Sequence, residues 1–137
     1  MTGKISRKTR DKSTYSLYFK KANQYYEVMN LCLKEEKYDS AALNGIHAVI
    51  SGIDALLVFK GGVVSSSLRH EDAVKLLKEI WIRRDTGEYS EHALKVLKMK
   101  SIFEYTDMNV NREQAERLAK HVSRFVEWAK GLIEAVD

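Results

Sequence analysis

The sequence predicts an all-α fold, a single-domain up-and-down bundle of about five helices. Apolar residues recur three and four positions apart through long segments, the spacing that places them on one face of a helix. The 137 residues contain no proline, which removes the strongest helix breaker. With 45% hydrophobic and 31% charged residues, the chain has the composition of a soluble globular protein, and its length suits one domain with a core.

The segment 41–59 is predicted to be the central helix. Small and bulky apolar residues occupy two adjoining faces of it, so we expect the helix to be largely buried. What remains is a narrow polar seam formed by Asn44, His47, Ser51 and Asp54. Three interpretations of this seam are open: a strip exposed to solvent, a polar line in a dimer interface, or one wall of a ligand-binding cleft.

The other four helices are predicted from the same periodicity. We expect the first at about 13–36, with an aromatic inward seam, the third at about 70–83, and the fourth at about 90–104. The fifth, after a loop at 106–111, has the most regular pattern. Residues 63–68 are expected to form a loop. No run of strictly alternating residues competes with this helical reading, apart from Val63-Val64.

Local signals mark several helix ends. Asp39 or Ser40 is placed to cap the start of the second helix. Gly61-Gly62 is expected to end that helix, because glycine takes the left-handed conformation without a penalty. Asn111 followed by Gln114 resembles a capping box at the start of the fifth helix.

Residues 1–14 are predicted to form a basic flexible tail in front of the bundle of residues 15–137. The formal net charge of +4 is the charge of this segment, in which five basic residues outnumber one acidic residue: Lys4, Arg7, Lys8, Arg10 and Lys12 against Asp11. Such an arm binds nucleic acid or an anionic surface through charge alone. The alternative is a tail that only keeps the protein soluble.

A cytoplasmic location is expected. The single cysteine excludes an internal disulfide. The longest uninterrupted apolar run, 55–59, is far shorter than the roughly 20 residues that cross a bilayer. No apolar segment follows the basic N-terminus, as it would in a signal peptide.

Several common kinds of site are not indicated by the sequence. Gly61-Gly62 lacks the further glycines and the Lys-Ser/Thr of a phosphate-binding loop. The acidic residues near His70 and His92 offer only weak local groups with no second metal-binding pair, so we expect no metal and no other cofactor. Cys32 lies on the inward seam of the first helix, where a thiol is usually a small hydrophobic group.

Several features between residues 18 and 135 occur in a recognisable order. An aromatic first helix carries Ala22 and Tyr25, the central helix ends in ALLVFKGG (55–62), a serine-rich loop leads to His70, and KSIFEYTDMNV (100–110) precedes a long last helix. This order resembles the HEPN family (higher eukaryotes and prokaryotes nucleotide-binding domain). The resemblance implies a small helical bundle that forms a homodimer and binds a nucleotide or RNA. It also implies a place in a toxin–antitoxin or defence system, with a nucleotidyltransferase as partner.

The catalytic motif of that family is missing. Its active members are metal-independent ribonucleases with an Arg-x(4–6)-His motif near the end of the fourth helix, and no arginine here is followed by a histidine at that spacing. The corresponding segment offers Lys100 and Tyr105. Lysine holds a phosphate without the bidentate fork of arginine, and tyrosine, with a pKa of about 10, is a poor base at neutral pH. Glu104-Tyr105 resembles the acidic-Tyr pair of family members without ribonuclease activity.

The leading prediction is therefore a non-catalytic domain that binds a nucleotide, RNA or a partner protein. The rival is a ribonuclease that uses Lys100 and Tyr105, with His47 or His70 as proton carrier. A third possibility is a purely structural interaction module, whose basic last helix and tail dock an acidic partner. The residues predicted to bind a ligand are Asn44, His47, Ser51, Asp54, His70, Lys100, Glu104 and Tyr105.

Overall fold

The computed structural model describes residues 4–104 and 107–135. Its elements follow in the order β1 (Arg7–Thr9), a 3-10 helix (Lys12–Thr14), α1 (Tyr15–Lys34), α2 (Tyr38–Gly61), β2 (Val63–Ser65), α3 (His70–Ile80), α4 (Thr86–Glu104) and α5 (Arg112–Glu134). Short connections join the five helices. The predicted all-α bundle of about five helices is confirmed.

α2 is the centre of the bundle, as its apolar circumference predicts. It packs against each of the other four helices, and side chains such as Ile53 and Leu57 are completely shielded from solvent. At Gly45 a Cβ atom would lie 2.6 Å from Leu118 Cδ2 and 2.9 Å from Met29 Sδ, so α1 and α5 approach α2 more closely than a larger residue allows. α2 is long and apolar enough to cross a membrane, but about two-thirds of that stretch is buried inside the bundle, which is typical of a core helix.

Two of the predicted helix ends are confirmed. Gly62 ends α2 in the left-handed conformation, with φ at 63°, and its N–H donates to the Val58 carbonyl at 3.0 Å. Asn111 and Gln114 form the predicted capping box at the start of α5.

The predicted cap at the start of α2 is wrong. The helix begins after Lys37, with no side-chain cap. The Asp39 carboxylate is occupied elsewhere, because it accepts hydrogen bonds from the Val110 N–H and from Asn109 Nδ2, both at 2.7 Å. These bonds lower the pKa of Asp39 and tie the start of α2 to the loop before α5.

The junction between α3 and α4 also differs from the prediction. α3 ends at Ile80 because Trp81 leaves the helical conformation and buries its ring, with the indole N–H donating to the Leu56 carbonyl at 2.8 Å. α4 begins at Thr86, ahead of the predicted start at Ser90, and both of these side chains are buried. Core packing has therefore extended the helix into the predicted loop.

The N-terminal segment, from residue 4 onward, is not the flexible tail that its composition predicts. β1 pairs with β2 in a two-stranded antiparallel sheet. Further backbone bonds continue the pairing, from the Arg10 N–H to the Gly62 carbonyl (2.7 Å) and from the Ser66 N–H to the Ser6 carbonyl (2.9 Å). Residues 63–65, which are expected to form a loop, are instead the strand β2, and the side chain of Val64 is buried. The pairing joins segments more than fifty residues apart, so local composition gives no sign of it.

Candidate functional site

Three adjacent depressions run along one side of the bundle, between the middle of α2, the start of α3 and the end of α4. The first, of about 110 Å³, is lined by Asp54 and His70 among others. The second, of about 180 Å³, includes His70, Lys100 and Glu104. The third, of about 290 Å³, includes His47 and Glu104. Because neighbouring depressions share His70 or Glu104, they form one surface, which we call the His70 groove.

The loop between β2 and α3 builds the polar wall of the first depression. Ser65 and Ser67 both line it. The Ser67 hydroxyl donates to Asp72 Oδ2 at 2.6 Å and accepts from the Arg69 N–H at 3.1 Å, which closes a tight turn. This turn brings Arg69 and His70, the first residue of α3, to the wall of the cavity.

Asp54 is a largely buried carboxylic acid on the α2 side of the same cavity. Burial raises the pKa of Asp54 to about 6, and the positive charges of Arg10 and Lys21 offset this effect only in part. Within the described residues no side chain donates a hydrogen bond to it. A carboxyl group with this pKa exchanges a proton close to neutral pH, which is more typical of functional sites than of packing.

The pKa of His70 is shifted in the direction that favours the neutral imidazole. Burial lowers its pKa below the usual range, and the charge of Lys100 acts in the same direction, while Glu71 and Glu104 oppose it. The imidazole is therefore neutral at pH 7, with one N–H donor and one acceptor nitrogen.

Lys100 and Glu104 form an ion pair one turn apart on α4. Lys100 Nζ lies 2.8 Å from Glu104 Oε2, and the lysine side chain is about three-quarters buried. The lysine thus lines the second depression with its charge partly neutralised. In the third depression, the ring of His47 lies 5.5 Å from the ring of Tyr25 on α1.

The structure brings together five of the eight residues predicted to bind a ligand: His47, Asp54, His70, Lys100 and Glu104. It leaves the other two described ones outside the groove. Asn44 Nδ2 donates to the Ser40 carbonyl at 2.8 Å, and Ser51 is buried. The polar seam of α2 is therefore divided, with only His47 and Asp54 facing the groove. Tyr105 lies outside the described residues. Binding by any of these residues stays a prediction.

Sequence reasoning missed three side chains of the first depression. Ser65 and Ser67 are predicted only as part of a loop, and no role is predicted for Arg69, yet all three line this depression. A signal was available, since a run of three serines followed by Leu-Arg-His directly precedes a helix. Hydroxyls and a cation at a helix start are a common anion-binding pattern.

A second pair of histidines was also missed. His92 on α4 and His121 on α5 lie with their Nδ1 atoms 2.9 Å apart. Burial lowers the pKa of both rings, and the charges of Lys95 and Arg124 act in the same direction. Over residues 4–104 and 107–135, no three His, Cys, Asp or Glu side chains come together as a metal site requires.

The groove has the chemical equipment for binding an anion. Arg69 and Lys100 supply positive charge, and the Ser65 hydroxyl supplies a hydrogen-bond donor, whereas that of Ser67 is already donated to Asp72. Asp54, whose pKa is raised to about 6, and the neutral imidazole of His70 line one cavity, so an acid and a proton acceptor lie together, as acid–base chemistry needs.

Comparison with known proteins adds one finding. A family model described as the HEPN domain matches residues 15–132, from the first residue of α1 to near the end of α5. No curated protein matches the chain, and no solved structure does. The family match covers all five helices and leaves out β1.

Proposed function

The chain belongs to the HEPN family, and from this premise we propose that it is a non-catalytic domain that binds the phosphate of a nucleotide or of RNA in the His70 groove. We further propose that it acts as a homodimer in a toxin–antitoxin or defence system, with a nucleotidyltransferase as partner.

The observation that carries the binding proposal is the polarity of the first depression. Arg69, the Ser65 hydroxyl and a neutral His70 line a cavity of about 110 Å³, which suits a single phosphate group rather than a base. Arg10 and Lys21 add positive charge nearby. The second and third depressions extend from this cavity and offer room for a sugar and a base. Arginine is the side chain best suited to holding phosphate oxygens.

The proposal that the domain is non-catalytic rests on the missing motif. No arginine precedes a histidine at the family spacing, and Lys100, at the corresponding place, is engaged with Glu104. A lysine in an ion pair is a weaker electrostatic partner for a developing negative charge than a free arginine.

Binding is tested with a fluorescently labelled pool of single-stranded RNA and with AMP. Fluorescence anisotropy measures the affinity for RNA, and the melting temperature reports on AMP. We expect Arg69→Ala to weaken RNA binding about tenfold, since a lost phosphate contact costs roughly 1–3 kcal/mol. The slope of log K against log salt concentration is also expected to become shallower by about one, which corresponds to the loss of one phosphate contact.

The control is Lys34→Ala, which removes an exposed cation at the end of α1 that lines none of the three depressions. This variant is expected to change the affinity less than twofold. Equal losses in the two variants would mean that charge alone drives binding, and absence of binding by the wild type to either probe would refute the proposal.

A ribonuclease remains the second candidate, because Asp54, whose pKa burial raises to about 6, and His70, a neutral imidazole at pH 7, line the same cavity. Incubation with a mixed RNA pool in the presence of EDTA separates the two functions. We expect no cleavage. Cleavage by the wild type that is lost in both His70→Ala and Lys100→Ala would establish the ribonuclease instead.

Support for a homodimer comes from α1 rather than from α2. The apolar surface of α2 is covered within one subunit except at Leu43, near its start, which is 54% exposed. On α1, however, Leu17 and Leu31 are 61% and 53% exposed, and Val28 lies between them. Sedimentation velocity is expected to show a dimer that Leu31→Glu converts into a monomer with unchanged helicity; a monomeric wild type would exclude this part of the proposal.

A further inference from the structure

A second groove lies at the other end of α3, where the last turns of α2 and α5 meet the link between α3 and α4. Its volume is about 570 Å³, within the range of small-molecule sites. It shares no lining residue with the His70 groove. We call it the Trp groove, after its two tryptophans, Trp81 and Trp128; Phe59, Lys60, Arg83 and Gly131 also line it.

The aromatic walls of the Trp groove are held in place before any ligand arrives. The ring of Phe59 is nearly parallel to that of Trp81, whose indole N–H is bonded to the Leu56 carbonyl. Trp128 stacks on Tyr89, with ring centroids 5.1 Å apart and planes 7° apart. Its indole N–H donates to Asp85 Oδ2 at 3.1 Å. Rings fixed in this way bind a flat ligand with little further loss of entropy.

Gly131 lines the groove and places no side chain in it. It lies inside α5, where glycine is a poor helix former compared with alanine. A Cβ atom at this position would meet no heavy atom within 4 Å, so packing gives no reason for the glycine. Gly87 in α4 also meets no heavy atom there, and what distinguishes Gly131 is its place in the lining of the groove. Since Gly131 lines the groove and a Cβ there meets open space, we expect a larger side chain at this position to fill part of the groove.

Lys60 is the cation of the groove that is available to an acidic ligand. Lys60, Arg83 and Glu127 all line the groove. Arg83 is engaged with Asp85 at 3.1 Å. Lys60 Nζ lies 5.3 Å from the centre of the Trp81 ring, and no carboxylate pairs with it among the described residues. A cation beside an aromatic wall is suited to an acidic group carried on a flat ring.

We propose that the Trp groove binds a flat aromatic molecule of one or two rings that carries an acidic group, with the ring packed against the side chains of Phe59 and Trp128 and the acid paired with Lys60. The site is independent of the His70 groove. Its ligand has two possible sources, a small aromatic acid or a purine nucleotide.

The two tryptophans of the chain both line the groove, so intrinsic fluorescence reports on it directly. The full chain is titrated with 2-naphthoate, with its uncharged analogue 2-naphthylmethanol, and with AMP. We expect saturable quenching by at least one of the two acids. Lys60→Gln is expected to lower the affinity for that acid at least fivefold and to change the affinity for the alcohol less than twofold.

Gly131→Leu is the decisive variant. It is expected to abolish binding while the melting temperature stays the same or rises, because leucine favours the helix. Gly87→Leu is its matched control, since Gly87 also lies in a helix with nothing within 4 Å of a Cβ and is not in the groove. This control is expected to bind normally.

Binding of 2-naphthoate alone identifies a small aromatic acid as the ligand class, and binding of AMP identifies a nucleotide. The Arg69→Ala variant shows which groove holds AMP. It is expected to weaken AMP binding in the His70 groove and to leave AMP binding in the Trp groove unchanged. Retained binding in Gly131→Leu, equal affinity for acid and alcohol, or no quenching by either acid would overturn the proposal.

Discussion

Replacing Asp54 with asparagine is expected to stabilise the protein at alkaline pH. Burial raises the pKa of this carboxyl from 3.8 to about 6, so the folded state holds a proton more tightly than the unfolded state. The ionised form therefore destabilises the fold. This cost is absent below pH 3.8, grows as the pH rises from 3.8 to 6, and is complete above pH 6. Asparagine has the same shape and carries no charge at any of these values.

The size of the effect follows from the two pKa values. At about 1.4 kcal/mol per pH unit, the difference between 3.8 and about 6 amounts to about 3 kcal/mol at pH 8. At pH 5 the ionisation is incomplete, and the gain from Asp54→Asn is expected to be about half as large.

Urea unfolding at pH 5 and pH 8 measures this difference in the free energy of unfolding. Asp107→Asn is the control, because it removes an exposed carboxylate from the loop between α4 and α5, and it is expected to show no gain that depends on pH. A stabilisation by Asp54→Asn of equal size at both pH values would refute the reasoning, as would a loss of stability at pH 8. A confirmed gain would mean that the natural residue is retained at a cost to stability, as binding residues often are.

Three further predictions concern the core. The Ser90 hydroxyl is buried without a hydrogen-bond partner among the described residues, so Ser90→Ala is expected to raise the free energy of unfolding by about 1 kcal/mol in urea titrations; a loss of stability would show that an ordered water satisfies it. Gly45→Ala is expected to lower the free energy of unfolding by about 1 kcal/mol. A Cβ 2.6 Å from Leu118 Cδ2 strains the core by roughly 2 kcal/mol, and the better helix propensity of alanine offsets about 1 kcal/mol of this. A stabilised variant would contradict the close packing. Since burial lowers the pKa values of His70, His92 and His121, these histidines destabilise the native state as the pH falls through 6.5, and His121→Gln is expected to reduce the drop in urea midpoint between pH 7.5 and 5.5 by about a third. An unchanged drop would place the acid sensitivity elsewhere.

The two kinds of titrating site act on stability in opposite directions. Asp54 favours the folded state as the pH falls from 6 to 3.8, whereas His92 and His121 oppose it below 6.5. The wild-type profile therefore contains compensating contributions, and single variants are needed to separate them.

The docked N-terminal strand changes the interpretation of the basic segment. A free arm would search for nucleic acid by charge alone, whereas β1 is held against β2. This pairing brings Arg10 close enough for its charge to act on Asp54 in the wall of the His70 groove. Arg10 is therefore held beside the candidate site, whereas Arg7 of the same strand pairs with Glu79.

The sequence alone determined the helical class, the central helix and two of the helix ends. These features depend on interactions within a few residues along the chain: the apolar periodicity of 41–59, the left-handed Gly62 and the capping box of Asn111 and Gln114. It also singled out His47, Asp54, His70, Lys100 and Glu104, because polar residues within apolar patterns and family-like segments are visible locally.

Only the tertiary structure decided which of these residues share a surface. The division of the polar seam on α2 depends on where α3 and α4 cover it. The contact of His92 with His121, the pairing of β1 with β2, and the wall of the Trp groove each join segments that are distant in sequence. Such contacts are set by the packing of whole elements against one another, and the pattern of a single element carries no information about them.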